Sequence, residues 1–299
     1  MSGVRAGAAR LATRSAARVL ACCALAACGD PPPPAPAAGP PLTGQWIWGD
    51  ADLARWREAR TARPALRPGL WVSTVRWDGA AFQQRLARNP AELAGAPAAV
   101  VVRFEESVHR AWAALPDSAV ARAVDERLRR LLPLVARAGG RVAEVQLDYD
   151  CPVRRLPRWA AVVRALTDPG GALAGREVWV TSLVAHVARP EYGPLFRAAV
   201  RGHIVQLFDT GDEPSAAAAD RLAAALARAR LPFRVGLGAF ERVRRPGGTA
   251  ADGTTDHRGW FAALPALAAV PGYQGVWIFP GGQPWRAYLP SEATESPRR

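Results

Sequence analysis

Eight short runs of β-branched and aromatic residues, separated by amphipathic stretches, recur between Gln45 and about Tyr288, and this alternation constrains the fold more than any other feature. The runs are Gln45–Trp48, Leu70–Val75, Ala99–Glu105, Val142–Asp150, Val178–Leu183, Ile204–Asp209, Phe233–Leu237 and Val276–Phe279. Asp117–Ala136 is the clearest helix between them: Val120, Val124, Leu128, Leu131 and Val135 form one stripe, with Asp117 as its cap, and Ala216–Arg228 is a second. Eight strand–helix repeats in about 245 residues, with no Gly/Ser-rich break, predict a (β/α)8 TIM barrel over residues 44–290. The competing architecture is an open doubly wound sheet. Such sheets usually carry a phosphate loop after the first strand, and neither G-x-G-x-x-G nor a Walker sequence follows this one.

In a barrel, alternate strand residues face the helices or the interior, and the aliphatic parity belongs outside. Val145 and Leu147 then face out, leaving Gln146, Asp148 and Asp150 as a column climbing to the C-terminal mouth. Val102 and Phe104 face the helices, so Arg103 and Glu105 face in. The same rule turns Trp46, Trp48, Trp71, Trp179, Thr181, Gln206, Phe208, Trp277 and Phe279 inward, with Gly236 and Gly238 on the seventh strand.

Three carboxylates, an arginine, two glutamines and several tryptophans make an unusual barrel interior. They suit a sugar: indole faces stack on pyranose C–H faces, carboxylates and amides bind vicinal hydroxyls, and a carboxylate pair supplies acid and base for glycoside hydrolysis. Asp150 is the expected general acid, Asp148 its orienting or charge-stabilising neighbour and Glu105 the partner carboxylate. Arg103, Gln146, Trp46, Trp48, Trp179, Gln206, Asp209 and Trp277 are the expected substrate contacts. The competing reading is a structural salt-bridge network around Arg103 with tryptophans that only fill volume. Cys151 has outward parity and no recognisable paired histidine, which argues against a thiol nucleophile.

No cofactor is expected. His109, His186, His203 and His257 are dispersed without transition-metal spacing. Asp148, Asp150 and Glu105 would also suit an oxygen-coordinated divalent ion, the alternative to an ion-free site. The Gly-rich stretch Arg242–Thr255 is long enough for a mouth loop, or for plain surface slack.

Two segments carry a family resemblance. Val145-Gln-Leu-Asp-Tyr-Asp150 resembles the fourth-strand acidic motif of chitinase-like glycoside hydrolases, and Val205-Gln-Leu-Phe-Asp209 is similar to their sixth-strand Met-x-Tyr-Asp. Trp277 matches the tryptophan which that family places under the cleaved sugar. The body, with the strand Gln146-Leu-Asp-Tyr-Asp150 and a leader that ends Leu25-Ala-Ala-Cys28 like a lipoprotein's, looks still more like a bacterial lipoprotein domain-of-unknown-function family grouped with the glycosidase barrels. The resemblance implies a glycosidase-like barrel acting on, or binding, a polysaccharide or oligosaccharide. Two departures stand out. Matching Asp148 and Asp150 to the family's two aspartates puts Pro152 at the acid position, whereas a shift by two puts Asp150 there and Gln146 at an aspartate position. Phe208 replaces the tyrosine that helps hold an N-acetyl group. These residues therefore fit both catalysis by an aspartate acid and sugar binding without turnover on a degenerate barrel.

Arg5 to Arg18 form a basic region, Val19–Ala27 a short apolar run, and Leu25-Ala-Ala-Cys28 resembles a bacterial lipobox. Residues 1–27 are expected to be a signal peptide, Cys28 the lipidated residue, 28–43 a Pro-rich spacer and 291–299 a tail. An ordinary signal-peptidase site after Ala26 or Ala27, and a PxxP ligand in the spacer, are the alternatives. A lipid anchor would hold the protein in a bacterial cell envelope. All 39 basic residues are arginine, and loss of the leader lowers the formal charge from +13 to +9. Arginines scattered beside acids such as Asp125 and Glu126 form no aromatic-interleaved stripe, so nucleic acid is not an expected partner.

Overall fold

The computed structural model describes residues 42–93, 95–208, 214–243, 254–256 and 259–284. In chain order the first half comprises β1 (Leu42–Ile47), α1 (Asp50–Ala62), β2 (Arg67–Trp77), β3 (Phe82–Leu86), β4 (Pro97–Phe104), α2 (Val108–Ala114), α3 (Asp117–Arg137) and β5 (Arg141–Tyr149). There follow α4 (Leu156–Thr167), β6 (Val178–Leu183), α5 (Val184–Val187), α6 (Tyr192–Phe196), β7 (Gly202–Gln206) and α7 (Ala216–Ala229). The last elements are β8 (Phe233–Gly238), β9 (Glu241–Val243), β10 (Thr254–Asp256), α8 (Trp260–Ala268) and β11 (Tyr273–Phe279).

Eight of these strands pair in parallel in the order β1-β11-β8-β7-β6-β5-β4-β2, and β1 also pairs with β2, which closes the sheet into the expected (β/α)8 barrel. Two antiparallel additions were not read from the sequence: β3 folds back on the upper half of β2, and β9 pairs with β10. The signal peptide, Cys28, the spacer up to residue 41, Asp209, His257 and the tail lie outside the described residues. Among the described residues, no helix is long and apolar enough to cross a membrane.

Strand parity creates two apolar cores. Val102, Phe104, Val145 and Leu147 join the large core between barrel and helices, where the α3 stripe is also buried. Trp46, Ala99, Val101, Trp179, Ile204 and Trp277 form a second, narrow core inside the barrel. Asp117 differs from its expected role. It is the first residue of α3, after Pro116, and its carboxylate takes the Arg158 guanidinium rather than a helix N–H. Ser215 does cap α7, accepting from the Ala218 N–H at 3.1 Å.

Inside the barrel, side chains stack in layers. At the N-terminal end Glu144 is fully buried, and Arg234 Nη1 reaches both its carboxylate oxygens at 2.7 and 2.9 Å. Arg67 Nη1 adds a third bond at 2.7 Å. The Arg234 guanidinium lies 3.6 Å from the Trp179 ring centroid, a cation–π contact in a desolvated setting. Trp277 fills the axis beside it. A Cβ on Gly44 or Gly69 would come within 2.7 or 2.6 Å of the Trp277 ring, so this floor requires glycine on β1 and β2. One layer higher, Gln146 accepts from Trp46 Nε1 and donates to Glu144 Oε1, both at 2.7 Å. The floor network thereby sets the angle of the Trp46 indole.

Candidate active site

Above this floor a cavity of about 710 Å³ opens at the C-terminal mouth, where barrels of this kind carry their chemistry. Part of its lining is aromatic. Trp48 stacks on Trp71 at 4.8 Å, and Phe279 lies 5.6 Å from Trp48 and 5.4 Å from Phe208. Arg103, Glu105, Asp148 and Asp150 supply its charged groups. Trp48 is held by the turn into α1, where buried Asp52 accepts the N–H groups of Trp48 and Gly49 through Oδ2 and of Gly282 through Oδ1.

Asp148 is nearly inaccessible. Its Oδ1 accepts from Thr181 Oγ1 at 3.0 Å and Gln206 Nε2 at 2.9 Å, and its Oδ2 faces Arg103 Nη1 at 3.4 Å. Thr181 Oγ1 itself accepts the Tyr149 N–H, so its proton points at the aspartate. Burial raises the Asp148 pKa above the ordinary carboxylate value, against the opposing pull of Arg103, Thr181 and Gln206. Asp150, just past β5, is half exposed, with Oδ2 4.0 Å from Arg103 Nη2. One guanidinium thus spans both aspartates, while its face lies 4.8 Å from the Trp48 ring centroid.

The loop carrying Asp150 is pinned from behind. His186 Nδ1 accepts the Leu183 N–H at 3.1 Å, so the ring proton sits on Nε2, which donates to the Cys151 carbonyl at 2.6 Å. Burial lowers the His186 pKa, which keeps this neutral tautomer in place. The Cys151 thiol is buried and pushed up to about 12, which makes it inert as a nucleophile.

Of the residues expected from the sequence, Asp148, Asp150, Glu105, Arg103, Trp46, Trp48 and Gln206 meet around one cavity. Gln146, Trp179 and Trp277 face inward as expected but do not line it. They lie below it, fully buried, as parts of the floor. Their expected contact with a ligand is corrected to support of Trp46 and closure of the barrel. Asp209 falls outside the described residues.

The structure adds Thr74 and Arg85 to the lining. The register of β2 against β4 slips between Trp71 and Ser73, a bulge that puts Trp71 and Thr74 on the same inner face. Ser73, which simple alternation would turn inward, instead bonds to the β3 hairpin through the Arg85 carbonyl and Gln84. Arg85 stands opposite Thr74 on β3 and extends the polar lining. Among the described residues, no group of three or more His, Cys, Asp or Glu side chains is placed to hold a metal ion.

Solved structures share this fold at low sequence identity. The spore cortex-lytic enzyme SleL of Bacillus megaterium QM B1551 matches with TM-score 0.58 and 10% identity, over 86% of this chain and 75% of that one. The ICChI chitinase of Ipomoea carnea matches with TM-score 0.51 and 13% identity, over 83% of this chain and 97% of that one. No family model and no curated protein matches the chain. The likeness is therefore one of fold, that of a (β/α)8 barrel.

Proposed function

We propose that the protein binds a glycan in the mouth cavity and cleaves a glycosidic bond there, with Asp150 as proton donor. One observation carries this reading: the aromatic rings of Trp48, Trp71, Phe208 and Phe279 and the polar groups of Asp148, Asp150, Glu105 and Arg103 line one cavity of about 710 Å³. A pyranose lies with a C–H face against the aromatic lining and its hydroxyls toward the carboxylates. Asp150 gives its proton to the glycosidic oxygen as the bond to the anomeric carbon breaks, and the leaving sugar departs as an alcohol. Glu105 takes a proton from the water that attacks the anomeric carbon, and exchange with solvent resets both carboxyls. Asp148 and Arg103 fix the field in which positive charge develops on the ring.

A second reading, sugar binding without turnover, is favoured by the position of Arg103 against both aspartates, which ties the proton donor to a cation. Incubating the protein with a panel of polysaccharides and measuring released reducing ends separates the two. Hydrolysis that Asp150→Asn lowers at least 100-fold, with ligand affinity kept within a few-fold, supports the enzyme. Binding by both proteins with no reducing ends from either establishes the second reading, and no binding by either refutes both.

The same proposal places the protein in a bacterial cell envelope, anchored through lipid on Cys28. Palmitate labelling that persists in Cys28→Ala would refute the anchor.

A further inference from the structure

The end of the barrel opposite the mouth carries a charge asymmetry that the site does not use. Strands β5, β6, β7 and β8 are consecutive neighbours in the sheet, and each is entered past an exposed arginine: Arg141, Arg176, Arg201 and Arg230, with Arg137 beside the first at the end of α3. At the usual spacing of about 4.8 Å between strands, these entries span roughly 15 Å. None of the five guanidinium groups has an ion-pair partner among the described residues. Some arginines elsewhere on the surface, Arg88, Arg129, Arg158 and Arg189 among them, are paired with carboxylates; Arg57, Arg110, Arg122 and Arg221 are exposed and unpaired among the described residues but do not share one end of the sheet. Arg137 and Arg230 flank helix C-termini, where a cation is favoured, but Arg141, Arg176 and Arg201 have no such local reason to be basic.

The entry loops hold two acids. Glu177 is committed to Arg234 and to Trp179 Nε1, which leaves Asp168 as the one uncommitted carboxylate in these loops. Between the β6 and β7 entries lies an open depression of about 550 Å³, lined by Arg176 and Arg201 as well as by Asp168 and Glu177. The chain also enters the barrel at this end, because β1 begins at Leu42, close in sequence to Cys28.

We propose that this basic end docks on an anionic phospholipid surface, with headgroup phosphates between the arginines, so that the mouth faces away from the bilayer. A cluster of unpaired arginines at the end where a tethered chain enters fits such a surface by charge, and each arginine near an anionic leaflet adds attraction. The inference goes beyond the glycan reading and stands if that reading fails; its argument from the tethered chain rests on the Cys28 anchor proposed above, and its argument from the arginine cluster does not.

The test uses the chain from residue 28 onward, without the leader read at residues 1–27 and carrying Cys28→Ser, so that neither the basic leader nor an acyl chain contributes, and vesicles of phosphatidylcholine with or without about 30% phosphatidylglycerol. R141Q/R176Q/R201Q/R230Q removes four of the five charges. R57Q/R110Q/R122Q/R221Q removes as many exposed arginines from other parts of the surface. Co-sedimentation is expected to show at least a tenfold preference of the parent chain for the anionic vesicles at low salt, fading as salt rises. The first variant loses that preference and the second keeps it, with circular dichroism confirming that both are folded. Equal loss in both variants, or no preference in the parent chain, overturns the proposal. So does tighter binding of the parent chain to a single-stranded oligonucleotide than to the anionic vesicles.

Discussion

Replacing Arg234 with methionine tests the floor of the barrel. Glu144 is fully buried, and Arg234 supplies two of its bonds and stacks on Trp179 at 3.6 Å. The single change Arg234→Met leaves that carboxylate with Arg67 and Gln146 alone. Breaking one side of a buried ion pair costs about 3–5 kcal/mol, because the remaining charge stays desolvated. At about 2–4 °C per kcal/mol for a domain of this size, the melting temperature should fall by about 6–20 °C. The double variant E144M/R234M removes both charges together. It should recover to within about 2 kcal/mol of the parent, since Arg67 is partly exposed and can turn to water while only Gln146 loses an acceptor. Urea unfolding followed by tryptophan fluorescence measures both. A single variant within 1 kcal/mol of the parent, or a double variant less stable than the single, would refute the reasoning.

Two further outcomes follow from burial and packing. Gly44→Ala places a methyl group 2.7 Å from three atoms of the Trp277 ring and should cost about 1–3 kcal/mol by urea titration, with part of the loss recovered in G44A/W277F. His203 is buried against Ser182, and burial pushes its pKa down to about 3 from the usual 6.5. The unfolded chain therefore binds a proton that the folded one refuses, and stability is full above pH 6.5 and lost as pH falls toward 3, by at most about 1.4 kcal/mol per pH unit. His203→Gln should flatten that slope in melting curves taken across the range, and an unchanged slope would count against it.

Alternation along the strands revealed which way side chains point because only an aliphatic outer face can pack under helices; Val102, Phe104, Val145 and Leu147 obey it. It does not give height along the axis. Trp179 and Trp277 face inward like Trp48, yet they lie in the floor, because depth depends on how neighbouring strands are staggered and on where Gly44 and Gly69 leave room. Thr74 was hidden by a bulge that breaks the two-residue period, and Arg85 by a hairpin strand, FQQRL, with little apolar alternation to mark it. Glu144 and Arg234 share the parity of Gln146 and Gly236, so their inward direction was readable, but their pairing across the barrel was not. The arginines at the strand entries look scattered in the sequence, since a whole strand–helix repeat separates one from the next. The barrel gathers them because every parallel strand starts at the same end.

The seated Trp277 ring and the ion cluster around Glu144 make the mouth cavity a dead end. The barrel axis is closed below the cavity, so the C-terminal mouth is its one way in or out. On the proposed glycan reading, an occupant held against the aromatic lining would leave by the opening through which it came, and a firmer aromatic grip would slow its exit as well as favour its entry.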